Sequence, residues 1–282
     1  MKKIYKFLCS QINYIGNLIN WFLIFIMREN ARCYIKNDND DASKELVIIG
    51  NGPSFKFQEI KDKSDAIDYC MVNHACQTAE FKLVKPKMYI LADPAFIKNS
   101  CTSKVKCTWE ILATVDWEMT VYVPFYMFVQ AKEFLKQSNV KLSCFHSVSF
   151  IGWPCLMFAM YNKNLAMPQP YNVMIPSIYV GIMKGYKKIR LLGVDHSWTE
   201  QLRVNAKNQV CIRQIHYYDS KVELIPWNDE TGTPFTMRFI MKRFSDIFEQ
   251  YEVLEKYAKS RGVSIINTCL DSYIDAFTKN ND

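Results

Sequence analysis

Residues 46–54 read Leu-Val-Ile-Ile-Gly-Asn-Gly-Pro-Ser: a short apolar run, a Gly-Asn-Gly turn, then Pro53 and Ser54 where a helix is expected to start. Gly50 and Gly52 permit close backbone approach and positive φ. Pro53 suits a first helical turn because it has no N–H to leave unpaired. Free amides and the positive end of the helix dipole would then face an anion, so the stretch predicts a phosphate-holding turn at a strand end. Taken alone, the same turn also serves simply to join a strand to a helix.

The chain has 282 residues, 49% of them hydrophobic and 14% aromatic, enough for a large buried core and too apolar for a disordered chain. Its ten cysteines are scattered singly with no C-x-x-C pair, which reads as reduced thiols in a cytosolic compartment. With four histidines and no paired spacing, no metal site is expected. The formal net charge of +7 favours an anionic partner: a membrane surface, a phosphorylated ligand or nucleic acid. The charge forms no run and no nucleic-acid-binding signature occurs, which argues against the last of these.

Near the amino terminus, residues 12–27 are apolar but interrupted by Asn13, Asn17 and Asn20 on one helical face, with Ile12, Ile15, Ile19, Phe22 and Ile26 on the opposite one. A spanning helix wants about 20 apolar residues. This segment, with Lys2, Lys3 and Lys6 before it and Arg28 and Arg32 after it, instead predicts a monotopic helix lying in the interface of an anionic membrane. Packing on the protein's own core is the alternative. No cleavage site of small residues follows, so a removed signal peptide is not expected. Residues 1–36 are thus read as a membrane-associating segment, 37–44 as a polar linker and 45–282 as one domain.

Within that domain, runs at 46–49, 66–72, 88–91, 120–123, 141–145, 189–192 and 263–266 predict strands, and 125–137, 177–185 and 238–260 predict helices. The long helix carries Ile240, Phe244, Ile247, Tyr251, Leu254 and Ala258 at core spacing. This alternation predicts an α/β fold, a Rossmann-like, mostly parallel sheet covered on both faces, with its ligand at the carboxyl ends of the strands. Asn51, Asn73 with His74, Asp93, and Asp195 with His196 fall just past strand ends. Each also has a structural reading: Asn51 as a cap, Asn73 closing a loop, and Asp93 before Pro94 as a turn.

These residues resemble the bacterial sialyltransferase family that includes the Campylobacter lipooligosaccharide enzymes, glycosyltransferase family 42. Residues 47–54 match its nucleotide-binding opening nearly residue for residue. Met71-Val72-Asn73, Asp93-Pro94, residues 176–195 ending in Gly193-Val194-Asp195, Ile215-His216-Tyr217-Tyr218, and Ile266-Asn267-Thr268 with Ser272 resemble its later segments. The resemblance implies a metal-independent enzyme of a GT-A-like variant fold that moves sialic acid or a related keto-sugar acid from a CMP-sugar donor to a surface glycan or glycolipid acceptor. It needs no cofactor beyond the donor.

By matching position it implies nucleotide contacts from Gly50, Asn51, Gly52, Ser54, Asn73, Asp93, Ser177 and Asp195. Two departures stand out: the family's tyrosines after Gly-Ile-Asp are here His196-Ser197-Trp198, and its arginine before Ser-Gly is absent before Ser177. Phosphate binding then passes to Tyr217 and Tyr218 or His196, and His216, ahead of His196, is the expected general base. His74 and His146 are weaker candidates. The expected location is the cytoplasmic face of the inner membrane, with homo-oligomerisation left open. Two rival readings remain: a pterin diphosphokinase-like enzyme using ATP and Mg²⁺, whose opening is similar, and a non-catalytic nucleotide-binding scaffold of polysaccharide assembly.

Overall fold

The computed structural model describes residues 2–28, 35, 43–56, 60, 65–136, 138–213, 224–229 and 231–279. In chain order, helix α1 (Lys2–Arg28) precedes β1 (Glu45–Ile49), β2 (Ile67–Val72), α2 (Ala79–Val84), β3 (Met88–Ile90), α3 (Ala95–Lys98), α4 (Ser103–Ala113), β4 (Thr120–Pro124), α5 (Phe128–Phe134) and β5 (Lys141–Phe145). There follow α6 (Pro154–Asn162), α7 (Met174–Met183), β6 (Lys188–Leu192), α8 (Trp198–Gln201), β7 (Leu202–Val204), β8 (Val210–Arg213), β9 (Leu224–Pro226), α9 (Met237–Ser260) and β10 (Ser264–Asn267).

Seven strands form one sheet in the order β10-β6-β1-β2-β3-β4-β5, with every pairing parallel. β1 is buried along its whole length, which is why its sequence is continuously apolar and not alternating. Its side chains still divide by the period of two. Leu46 and Ile48 join the core under α6, α7 and α9, whereas Val47 and Ile49 join the core under α2, α4 and α5. From β1 the chain steps outward through β2 to β5, then returns to place β6 on the other flank of β1. That reversal makes a topological switch point, where the connections after β1 and β6 part and leave a crevice.

All seven expected strands are present, each within a residue or two of its sequence boundary. The expected helix at 125–137 is a 3₁₀ turn at Phe125–Met127 followed by α5, and α7 begins three residues earlier than its expected start. α9 buries the Ile240, Phe244, Ile247, Tyr251, Leu254 and Ala258 face as its spacing predicted, and the Thr236 hydroxyl caps it by accepting from the Phe239 amide. The antiparallel sheet β7-β8-β9, inserted between β6 and α9, has no counterpart in the sequence reading.

Two other expectations are corrected. No helix starts at Pro53: residues 52–56 form a turn and loop. The assignment of all ten cysteines as reduced thiols fails at Cys144, which is disulfide-bonded, while eight others are free. Helix α1 packs on the domain, the alternative its sequence allowed: Leu18 and Trp21 lie against the core, Tyr14 meets Trp153 edge-on and Phe25 meets His146. Asn17 donates to the Ile151 carbonyl (2.7 Å), Trp21 donates to the Leu165 carbonyl (2.9 Å), and Trp153 donates to Gln11 (2.7 Å). The opposite face, with Ile12, Ile15, Ile19, Phe22 and Ile26, is more than half exposed. Among the described residues, no helix is long and apolar enough to cross a membrane.

Candidate functional site

A cavity of about 460 Å³ fills the crevice at the switch point, a volume typical of small-ligand sites. Its floor is the connection after β1 (Gly50, Asn51, Gly52, Pro53), flanked by Asn73 after β2 and by Asp93 and Pro94 after β3. The connection after β6 supplies Asp195, His196 and Trp198, and the segment entering α7 closes the far side with Tyr171, Asn172 and Val173.

Gly50 and Gly52 are required by close approach, not by positive φ, which neither adopts. A Cβ on Gly50 would meet the Gly193 carbonyl oxygen at 2.5 Å, and one on Gly52 would meet Asp195 Oδ2 at 1.8 Å and the Gly193 oxygen at 2.6 Å. The two connections are laced together: Gly50 donates to the Leu192 carbonyl (2.8 Å), and Gly52 donates to the Gly193 carbonyl (2.9 Å). Asp195 completes the clamp. Its Oδ2 accepts from the Ser54 hydroxyl at 2.9 Å, and its Oδ1 accepts from the Cys269 thiol at 3.4 Å. Gly193 itself holds a left-handed conformation (φ 63°) against Phe55, where only glycine fits.

Three asparagines line the cavity with unmet hydrogen-bonding capacity. The side-chain carbonyls of Asn51 and Asn73 and the amide nitrogen of Asn172 are buried and have no partner among the described residues. Asn73 also sits at φ 54°, a strained conformation that asparagine tolerates better than most residues. Buried polar groups left unpaired are destabilising, so two acceptors and one donor converging on one cavity point to a ligand that pairs with them. Asn172 Oδ1, by contrast, is fully engaged. It accepts from the Met174 and Ile175 amides, capping the first turn of α7, and from the Tyr251 hydroxyl. α7, not a helix at Pro53, thus presents its positive end to the cavity.

His196 is held at φ 50° between two aromatic groups. Its ring stacks on Trp198 with centroids 4.1 Å apart, and the Tyr251 hydroxyl lies 3.2 Å from its Nδ1. Because that hydroxyl donates to Asn172, it accepts from an imidazole N–H. Burial pushes the His196 pKa down to about 3, and burial raises that of Tyr251. The imidazole is therefore neutral at pH 7 and a weak proton acceptor, fitted to hydrogen bonding more than to the base role considered for it.

Of the residues expected to bind nucleotide, Gly50, Asn51, Gly52, Asn73, Asp93 and Asp195 line the cavity together. Asp93 also behaves as the turn residue foreseen, accepting from the Ala95 amide at 2.8 Å. Ser54 is turned onto Asp195. Ser177 is buried in α7, donates to the Val173 carbonyl (2.7 Å), and does not line the cavity. His216, Tyr217 and Tyr218 lie outside the described residues. His74 is paired with Thr108, and His146 is buried among aromatic rings; neither lines the cavity. Tyr171, Asn172 and Trp198 were missed. Asn172 carried a readable signal, an asparagine two residues before a helix, hidden because the helix was started at Ser177. Among the described residues, no cluster of three or more His, Cys, Asp or Glu gathers to hold a metal, and no Lys or Arg lines the cavity.

No family model matches the chain, and no curated protein is significantly similar to it. Several solved structures align with it. The MAf glycosyltransferase from Magnetospirillum magneticum superposes with a TM-score of 0.51 at 9% identity over 89% of this chain, which spans only 35% of that protein's length. The sialyltransferase CstII from Campylobacter jejuni, solved with cytidine-5'-monophosphate, aligns at 16% identity over 84% of each chain with a TM-score of 0.40. An α-2,3-sialyltransferase from the same organism aligns at 16% identity over 88% of this chain and 84% of its own, with a TM-score of 0.43. At 9% identity the likeness to the MAf glycosyltransferase is one of fold.

Two outcomes follow from this geometry. Gly52→Ala is expected to lower stability by about 1–3 kcal/mol through overpacking, read from urea denaturation; an unchanged midpoint would show that the clamp yields freely. The second concerns acid. An unfolded histidine takes its proton near pH 6.5, but His196 in the folded chain does so only near 3. Its contribution is therefore complete above pH 6.5 and is lost as the pH falls toward 3. Between pH 7 and 4.5 the wild type should lose on the order of 2 kcal/mol more stability than His196→Gln. Equal losses in both proteins would refute the burial of a neutral ring.

Proposed function

We propose that the protein is a glycosyltransferase that binds a CMP-sugar in the switch-point cavity and transfers a keto-sugar acid such as sialic acid to a glycan acceptor. The observation that carries this reading is the convergence of the Gly-Asn-Gly connection with the unpaired groups of Asn51, Asn73 and Asn172. The two carbonyls suit donors, such as the ribose hydroxyls and the exocyclic amine of cytosine. The Asn172 amide, beside the positive end of α7, suits a phosphate oxygen. The resemblance of residues 47–54 to the family 42 opening, and a fold shared with a known glycosyltransferase, support the same reading.

Catalysis on this reading needs a group to take the acceptor proton and donors to hold the departing phosphate. His216 is our candidate for the first, and Tyr217 and Tyr218 for the second, together with the Asn172 amide. His196 and Tyr251 then act as positioning residues, since their hydrogen bonds orient Asn172 and the buried imidazole is too weakly basic to serve as a base.

The test is isothermal titration of the full chain with CMP in the presence of a chelator. Binding is expected, with Asn51→Ala and Asn73→Ala each weakening it about tenfold, the effect of one good hydrogen bond. Stabilisation by ATP with Mg²⁺ and not by CMP would favour the diphosphokinase-like chemistry. CMP binding without turnover of any CMP-sugar would favour a scaffold.

We further propose that α1 rests on an anionic membrane surface through its exposed apolar face. The helix carries Lys2, Lys3, Lys6 and Arg28 and no acidic residue, so a lipid surface complements it where a second copy of the same helix would repel it. The full chain should co-sediment with phosphatidylglycerol vesicles in a salt-sensitive manner, and the double substitution Ile15→Glu with Ile19→Glu should abolish this. Undiminished sedimentation of that variant would dismiss α1 as the contact.

A further inference from the structure

A second cavity, of about 350 Å³, adjoins the first, and Tyr171 lines both. Its walls come from three directions: Asn17 and Asn20 on the docked face of α1, Ser147 and Ser149 after β5, and the α9 face carrying Lys242, Asp246 and Glu249. Part of this lining is internally satisfied. Lys242 donates to Asp246 (2.8 Å), and Gln250 is locked by accepting from the Gln169 amide and donating to the Asp246 carbonyl. The Asn20 carboxamide, the Ser149 hydroxyl and the Glu249 carboxylate make no side-chain hydrogen bond among the described residues. Arg243 stacks on the Tyr171 ring at 4.4 Å, holding the shared wall in place.

We propose that this cavity seats the terminal sugar of the acceptor, and that this sugar is neutral. The proposal rests on the glycosyltransferase reading above. A sugar offers a ring of hydroxyls that donate and accept, and the free groups here answer both needs: a carboxylate that only accepts, an amide that does both, and a hydroxyl that does both. Lys242 pairs with Asp246 and also feels the Glu249 carboxylate, so the one cation and two carboxylates of the lining leave it net negative, with Glu249 free of any hydrogen bond among the described residues. A carboxylate in that position favours hydroxyl donors and repels a terminal sialic acid or phosphate. Adjacency through Tyr171 puts the acceptor hydroxyl beside the donor cavity, where transfer requires it.

The experiment is saturation-transfer NMR on the full chain with galactose, N-acetylgalactosamine, N-acetylglucosamine and the methyl glycoside of N-acetylneuraminic acid, with and without CMP. At least one neutral sugar is expected to receive saturation, and Glu249→Gln and Asn20→Ala should each weaken its binding about tenfold while leaving CMP affinity unchanged. Both positions are exposed on helix surfaces, so the variants should fold, and unchanged CMP binding verifies it. Transfer to no neutral sugar, transfer to the sialic acid glycoside alone, or binding indifferent to both substitutions would overturn the proposal. Loss of the CMP response alone would strike the nucleotide reading and leave the sugar result standing.

Discussion

The site depends on one contact, the clamp between the connections that leave β1 and β6. Parallel strands diverge at a switch point, and without a tie the two loops would splay. Here the Gly52 amide donates to the Gly193 carbonyl, and the Asp195 carboxylate gathers the Ser54 hydroxyl and the Cys269 thiol, so β1, β6 and the segment after β10 share one anchor. The glycines are the steric condition for this approach, because any side chain at 50 or 52 would occupy the space of the opposing loop. Asp195 is a positioning residue: it shapes the floor of the cavity while its own oxygens face inward to the protein.

Most of the fold was legible because a parallel sheet writes itself as short apolar runs, and seven of these were distinct. The strand-end asparagines were legible for a related reason. Once the sheet is parallel, every polar residue just past a strand falls on the same rim, and Asn51, Asn73, Asp93 and Asp195 do line one cavity. What escaped was decided by contacts between distant segments. Pro53 and Ser54 carry a helix-start pattern, but the Asp195 carboxylate takes the Ser54 hydroxyl, and the chain turns instead. β7, β8 and β9 are three or four residues each, too short to show periodicity. Ser177 looked like a site residue by position, yet its hydroxyl is consumed within its own helix.

The polar groups around the cavity form a hierarchy. Asn172 is pinned by two amides of α7 and by Tyr251, which in turn receives His196, so the Asn172 amide has a fixed direction and no partner among the described residues. Asn51 and Asn73 hold their carbonyls in the same unfulfilled state. A site built this way loses little on binding, since its groups are already oriented and no protein bond must break before a ligand bond forms. The neutrality of His196 serves the same end: a charged imidazole at this spot would bring a proton whose presence varied with pH, and burial removes that variable.

α1 has two faces with different duties. Its inner side supplies Asn17 and Asn20 to the second cavity, and its outer side displays an uninterrupted band of isoleucine and phenylalanine. An α-helix with its side chains is about 10 Å across. Whatever the outer band touches therefore stands a fixed, short distance from the chamber on the inner side, and the helix acts as a spacer. Such a spacer would set a reach limit, admitting chain ends held close to that contact and leaving longer ones with their tips beyond the chamber.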